Sequence, residues 1–250
     1  MKFFFIPVII AVVFANLVGC SAKTGPADAY KNETPQQIYR EGKEELKDKN
    51  FGESIKRFEA LDVQYPFGEE TEWAQLYLIY AYYMKEEYTM CVSAADRYIR
   101  LHPISPYVDY AYYMKGVADY YQNLGVLERM FTIDLATRDL TQMQKSYRDF
   151  KELVILFPNS KYAPSAQQQL IYLRNMMATH ELHVAQYYYD RKAYVAAANR
   201  ASDVIAHYQG APAVVDALVV LVKSYRQLGL TKEEQETLKV LQYNYPDKRV

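Results

Sequence analysis

Two short runs hold residue types that could do chemistry: His180-Glu181-Leu182-His183 and Leu17-Val18-Gly19-Cys20. Two imidazoles on one helical face can share a divalent cation, and a carboxylate between them can act as a base. The zinc-protease arrangement needs two residues between the Glu and the second His, which sets the rings one turn apart. Here there is only Leu182 between them, so the histidines are three apart, still neighbours on a helix. No third ligand is evident, since His102 and His207 are the only other histidines. The run therefore reads as ordinary helix surface, and no metal site is expected. Glu44-Glu45, Glu69-Glu70 and Glu86-Glu87 lie in charged runs that solvated helix faces explain. There is no Gly-rich phosphate loop and no nucleophile elbow, so neither catalysis nor a cofactor is expected.

The chemistry at Cys20 is of another kind. Lys2 precedes an apolar stretch, Phe3 to Leu17, broken only by Pro7 and Asn16. Such a run behind a positive charge and ahead of a small residue reads as a signal peptide (1–19) rather than a spanning helix. Ser21-Ala22-Lys23-Thr24-Gly25 then opens a flexible tether, 20–33. Leu-Val-Gly-Cys resembles the bacterial lipobox. That resemblance implies cleavage before Cys20, a thioether lipid on its sulfur and acylation of the new N-terminus, together a durable anchor. The alternative is an ordinary secretory signal with an incidental cysteine. Ser21 stands where an Asp would mark inner-membrane retention, which by analogy points to the periplasmic face of the outer membrane. Cys91 is then the one cysteine of the mature body, which excludes an intrachain disulfide framework. It reads as a small buried hydrophobe rather than a reactive thiol.

The 250 residues carry a formal charge of −1, which leaves no basic excess for phosphate backbones, so nucleic acid is not an expected partner. With 26 Tyr and only 9 Gly, the chain leans towards helices and interfaces, because sheets closed by many tight turns use more glycine.

The elements that would position these residues come from internal repetition. Five segments end in an aromatic residue or His, usually followed by Pro: Tyr65-Pro66, His102-Pro103, Phe157-Pro158, Tyr208-Gln209 and Tyr245-Pro246. Eight residues before the second of each pair stand Phe58, Ala95, Phe150, Ala201 and Leu238. Five before stand Leu61, Tyr98, Leu153, Val204 and Leu241, and twelve before stand the small residues Ser54, Cys91, Ser146 and Ala197, with Glu234 breaking the column. These offsets fit one helical stripe, and the Pro stops each helix. A second amphipathic helix precedes each: Gln36 to Lys49, Thr71 to Lys85, Val108 to Asn123, Ser165 to Asp190 and Val214 to Leu228.

The expected fold is all-α, a tetratricopeptide-like solenoid of helical hairpins over residues 34–250, with repeats near 34–68, 69–105, 106–160, 161–210 and 211–250. The first helix of each pair would line a groove. Its candidate peptide-binding residues are Tyr39, Trp73, Leu76, Tyr80 and Tyr83, with Lys43 and Lys47 for a carboxylate and Met84 beside them. Two stretches depart from the repeat. Leu124 to Asp139, with Arg129, Asp134 and Arg138, reads as a charged loop or short helix. The first helix of the fourth repeat is long enough to project beyond its neighbours.

Several stretches together resemble one family: Phe58-Glu59-Ala60-Leu61, Tyr65-Pro66-Phe67-Gly68, Leu78-Ile79-Tyr80-Ala81-Tyr82-Tyr83, Asp96 to Pro103, Tyr113-Met114-Lys115-Gly116, Arg138-Asp139, Phe157 to Tyr162, Val184 to Tyr188, and Ala193 to Arg200. This is similar to the BamD family, tetratricopeptide lipoproteins of the outer-membrane β-barrel assembly machinery, from Cys20 to about Pro246. The resemblance implies a non-catalytic scaffold that docks on the barrel-forming BamA subunit, contacts other assembly lipoproteins and helps receive unfolded outer-membrane proteins. It also implies that Arg200, with Asn199 beside it, pairs with a BamA carboxylate, a role suited to a planar guanidinium. The family's middle loop carries an Asp-Arg pair and then Arg-Asp-Pro. Here Leu135 follows Asp134 and Leu140 follows Arg138-Asp139, so the loop departs from the family's pattern. The rival reading is a periplasmic repeat lipoprotein that organises peptidoglycan synthesis or cell division.

Overall fold

A computed structural model describes residues 25, 29–122 and 140–250. The signal peptide, Cys20 and the 124–139 stretch with Arg129, Asp134, Arg138 and Asp139 lie outside the described residues. The described residues form ten helices and no strand: α1 (Pro35–Lys47), α2 (Phe51–Gln64), α3 (Glu69–Met84), α4 (Tyr88–Leu101), α5 (Val108–Gln122), α6 (Thr141–Leu156), α7 (Ala163–Asp190), α8 (Tyr194–His207), α9 (Ala213–Leu228) and α10 (Thr231–Asn244). The five expected first helices are present with ends displaced by at most two residues. The chain divides into two compact units between Gln75 and Leu76, within α3.

The helix ends repeat the same chemistry. At the close of α1, α3, α7 and α9 one residue turns left-handed: Lys49 (φ 62°), Glu86 (62°), Lys192 (62°) and Gly229 (72°). In each case the following N–H reaches back five residues, as Asn50 to Glu45 (2.8 Å), Glu87 to Tyr82 (2.9 Å), Ala193 to Tyr188 (3.0 Å) and Leu230 to Tyr225 (3.0 Å). Together with the left-handed residue's own N–H, which reaches back three residues, this bond satisfies helix-end carbonyls and reverses the chain. Each second helix ends on the aromatic or His of the sequence pattern, whose N–H donates to the carbonyl of Leu61, Tyr98, Leu153, Val204 or Leu241. Before a Pro, the last residue cannot stay helical. The helix therefore stops there, at φ near −130° in Tyr65, His102 and Phe157.

The columns read from sequence are the core. Leu61, Tyr98, Leu153, Val204 and Leu241 are fully buried, as are Ser54, Cys91, Ser146 and Ala197. Full burial of a side chain the size of Leu or Phe stabilises by roughly 1.5–3 kcal/mol. In the first unit, α1 packs on α2. Gly42 lets the Phe58 ring close on α1, where a Cβ would come within 2.7 Å of it. The Ser54 hydroxyl then donates to the Gly42 carbonyl at 2.9 Å. The second unit repeats this device between α5 and α6: a Cβ on Gly116 would lie 2.9 Å from the Phe150 ring, and Ser146 donates to the Gly116 carbonyl at 2.7 Å. At the corresponding positions of the second repeat stand Ile79 and Ala95, both fully buried.

Farther along, α7 packs against α6, α8 and α9, and α9 against α8 and α10. Its first half joins a core with Met143, Phe150 and Leu153 through Ala166, Leu173 and Met177. Its second half joins an alanine-rich core with α8 and α9 through Ala178, Leu182 and Ala185. The expectation that this 28-residue helix projects is thus corrected: its length serves two successive cores. No helix among the described residues is long and apolar enough to cross a membrane.

Candidate protein-binding surfaces

The α7–α8 hairpin holds the residues of the near-metal run and of the expected partner site together. Leu182 is buried in the alanine-rich core, which turns Glu181 towards α8. There the Arg200 guanidinium donates to the Glu181 carboxylate, Nη1 to Oε2, at 3.0 Å. Arg200 keeps 45% of its side-chain exposure and Glu181 keeps 21%, so the pair sits at the solvent boundary. An ion pair this open is worth about 0–1 kcal/mol and exchanges readily for another carboxylate. Asn199 and Val195, one helical turn earlier, are exposed on the same helix. Tyr187, half-exposed near the end of α7, lies under the Arg191 guanidinium at 4.8 Å. His180 and His183 are half-buried on α7, and no group of three or more His, Cys, Asp or Glu among the described residues is placed to hold a metal ion. What sequence reasoning missed is that Glu181 belongs to Arg200. The two are nineteen residues apart and meet only because α7 and α8 pack as a hairpin.

The groove candidates separate by unit. In the first, Tyr39 packs against Phe58 with ring centroids 6.4 Å apart, and the Lys43 ammonium lies 5.1 Å from the Tyr39 ring. Both line a shallow depression on α1 with Arg40, Glu44 and Lys47. Trp73 is half-buried on α3. In the second unit, Leu76 is 5% exposed and belongs to the core, so it offers no groove wall; this corrects its place among the candidates. Its neighbours on α3, Tyr80 and Met84, do reach solvent.

Tyr83 opens a larger aromatic assembly that the spacing alone did not mark. It meets Tyr88 at 5.9 Å and Tyr121 at 6.0 Å; Tyr88 and Tyr121 stack at 5.5 Å. Tyr120 touches Tyr121 at 5.2 Å and Tyr172 at 6.0 Å. Five tyrosines from α3, α4, α5 and α7 thus share one surface, with exposed Ile171 beside Tyr172. Burial, then the neighbouring Tyr121 and Tyr88, push the Tyr83 hydroxyl up to about 12. Burial and the Tyr172 hydroxyl likewise push Tyr120 upward. Tyr83 and Tyr120 thus stay neutral, and the assembly offers apolar ring faces with polar tips. Cys91 lies away from solvent, its thiol pushed up to about 12 by burial and then by Asp119, which leaves it inert.

A protein family described as outer membrane lipoprotein, YfiO, matches residues 31–241. Among curated proteins, the outer membrane protein assembly factor BamD of Neisseria meningitidis serogroup B is 35% identical over 211 residues, 84% of this chain and 79% of that protein. BamD of Vibrio cholerae is 34% identical over 228 residues, 91% of this chain and 93% of that protein. BamD of Xylella fastidiosa is 34% identical over 248 residues, 98% of this chain and 84% of that protein. A solved structure of tetratricopeptide-like repeats from a Podosopora anserina kinesin light chain aligns with a TM-score of 0.42 and 12% identity, over 86% of this chain and 99% of that one. With likeness running over most of its length, the chain belongs to the BamD family of outer-membrane lipoproteins.

Proposed function

We propose that this chain is an outer-membrane protein assembly factor: a non-catalytic lipoprotein scaffold that binds a BamA-type barrel protein and helps receive and insert β-barrel proteins. The observation that carries the reading is the family likeness over most of the chain. The lipid on Cys20 would hold it at the periplasmic face of the outer membrane, with other assembly lipoproteins among its partners. Arg200 and Asn199 on the exposed face of α8 are the residues we assign to the BamA-type partner. The Arg200–Glu181 pair supports this, because a guanidinium already holding one carboxylate at the solvent boundary can take a partner's in its place. For unfolded barrel segments we assign the aromatic surface of Tyr80 and Tyr83 in the second unit, and Tyr39 and Trp73 in the first. Pull-down from detergent-solubilised envelope tests the reading. The lipidated chain should recover a large barrel protein with periplasmic repeats, and Arg200→Glu should lose it. Recovery of cell-wall enzymes alone would favour the peptidoglycan or division reading and retire this one.

A further inference from the structure

The residues just ahead of α1 are held on α2 by a set of contacts that a loose tether has no need of. Arg57, only 14% exposed, donates from Nη1 to Glu33 at 2.9 Å and from Nη2 to Glu41 at 2.8 Å. Its guanidinium lies 4.3 Å from the centre of the Tyr30 ring. The Tyr30 hydroxyl donates to Glu53, and the Gln64 amide donates to the Ala29 carbonyl. The Tyr65 hydroxyl donates to the Glu33 carbonyl at 3.2 Å. Within the segment, Glu33 N–H closes a turn on the Tyr30 carbonyl at 2.9 Å. Tyr30 itself stands at φ 58°, a left-handed conformation that a bulky residue avoids unless its surroundings hold it there. Burial and the Glu53 bond push the Tyr30 hydroxyl up to about 12, as expected for a phenol seated rather than solvated.

Four α2 residues (Glu53, Arg57, Gln64 and, at its cap, Tyr65) thus receive residues 29–33 as a strap. We propose that this edge of the first repeat is a docking site for the chain's own tether, and that it fixes where the lipid anchor's leash leaves the repeat domain. The proposal rests on the lipid at Cys20. With the strap seated, the stretch from Cys20 to Ala29 can span at most about 30 Å; with the strap released as far as Thr34, the span from Cys20 rises to at most about 50 Å. The strap therefore shortens the leash by roughly two-fifths and keeps the first repeat close to the membrane surface. Flexible linkers otherwise leave such a distance unset.

The test uses the mature lipidated chain in phospholipid vesicles, its anchor checked by mass. Trypsin cleavage after Lys31, followed by mass spectrometry, reads release of the strap, because a protease cuts a seated segment only when it opens. Tyr30→Ala and Arg57→Gln should each speed that cleavage about tenfold or more. Tyr30→Ala, which lies outside every helix, should leave the melting temperature in place. A dye on Val63→Cys, exposed on α2, should lose energy transfer to acceptor lipids in both variants. Equal cleavage in all three chains, or faster cleavage with unchanged transfer, would overturn the proposal. A free thiol at Cys20 beside slow Lys31 cleavage would instead overturn the anchor reading, and with it the strap's role in setting distance.

Discussion

Replacing Gly116 with Ala tests whether the repeats are held by close helix approach. A Cβ at this position would stand 2.9 Å from both Cδ1 and Cε1 of Phe150 and 3.1 Å from Cγ. Because Cγ is included, the ring cannot escape by swinging its tip alone. Phe150 is 1% exposed and packs against the Tyr113 ring at 5.9 Å, so it has little room to retreat. Overpacking of this kind costs about 1–3 kcal/mol. The substitution also removes a glycine from mid-helix, which returns about 1 kcal/mol. The net expectation is destabilisation of about 1 kcal/mol, or a melting temperature lower by roughly 2–4 °C for a chain of this size. A double-mutant cycle with Phe150→Leu isolates the contact. Without the ring, only the helix preference remains, so Gly116→Ala should then be neutral or stabilising. Urea unfolding followed by helical circular dichroism gives all four stabilities. Equal effects of Gly116→Ala in the two backgrounds, or stabilisation of the otherwise unaltered chain, would refute the close-approach account.

Three further outcomes follow from other parts of the fold. Lys49→Gly, Glu86→Gly and Lys192→Gly each relieve a left-handed non-glycine residue, so each should raise stability by roughly 0.5–1 kcal/mol in thermal melts; a loss would mean those side chains make contacts that outweigh the strain. Asp149 is pushed up to about 7 by burial, then by the neighbouring buried Asp119, against the pull of Lys115 at 3.2 Å. The folded state therefore binds its proton more tightly than the unfolded state does, so its contribution is fully present below about pH 4 and is lost as pH rises towards and through 7. Asp149→Asn, which carries the N–H permanently, should flatten the fall in melting temperature between about pH 4 and 7, and an identical slope in both chains would contradict a raised Asp149. Arg200→Glu and Glu181→Gln break a half-exposed pair, so unfolding midpoints should move by less than about 1 kcal/mol; a larger loss would mean that failed partner capture reflects folding rather than recognition.

The hairpin array was legible because its signals are local. Helix stops at aromatic-Pro pairs, the stripe of Leu61, Tyr98, Leu153, Val204 and Leu241, and the small residues facing it all follow from helical periodicity and the geometry of proline. The helix-reversing residues were not legible, because Lys49, Glu86 and Lys192 are not the glycines that usually mark a left-handed turn. Leu76 shows the limit of a one-helix reading: its place on the stripe is clear, but which side of that stripe faces solvent depends on the neighbouring helices.

The sequence by itself determined the class of fold, the ends of the helices and the family, since each is carried by residues near one another in the chain or by likeness along its length. Only the tertiary structure decided that Gly42 and Gly116 seat Phe rings, that Glu181 holds Arg200, that Asp119 and Asp149 share a buried interface, and that Tyr30 is strapped over Arg57. Each of these joins residues on different elements, and the distance between them is set by how the helices pack, which no local spacing records.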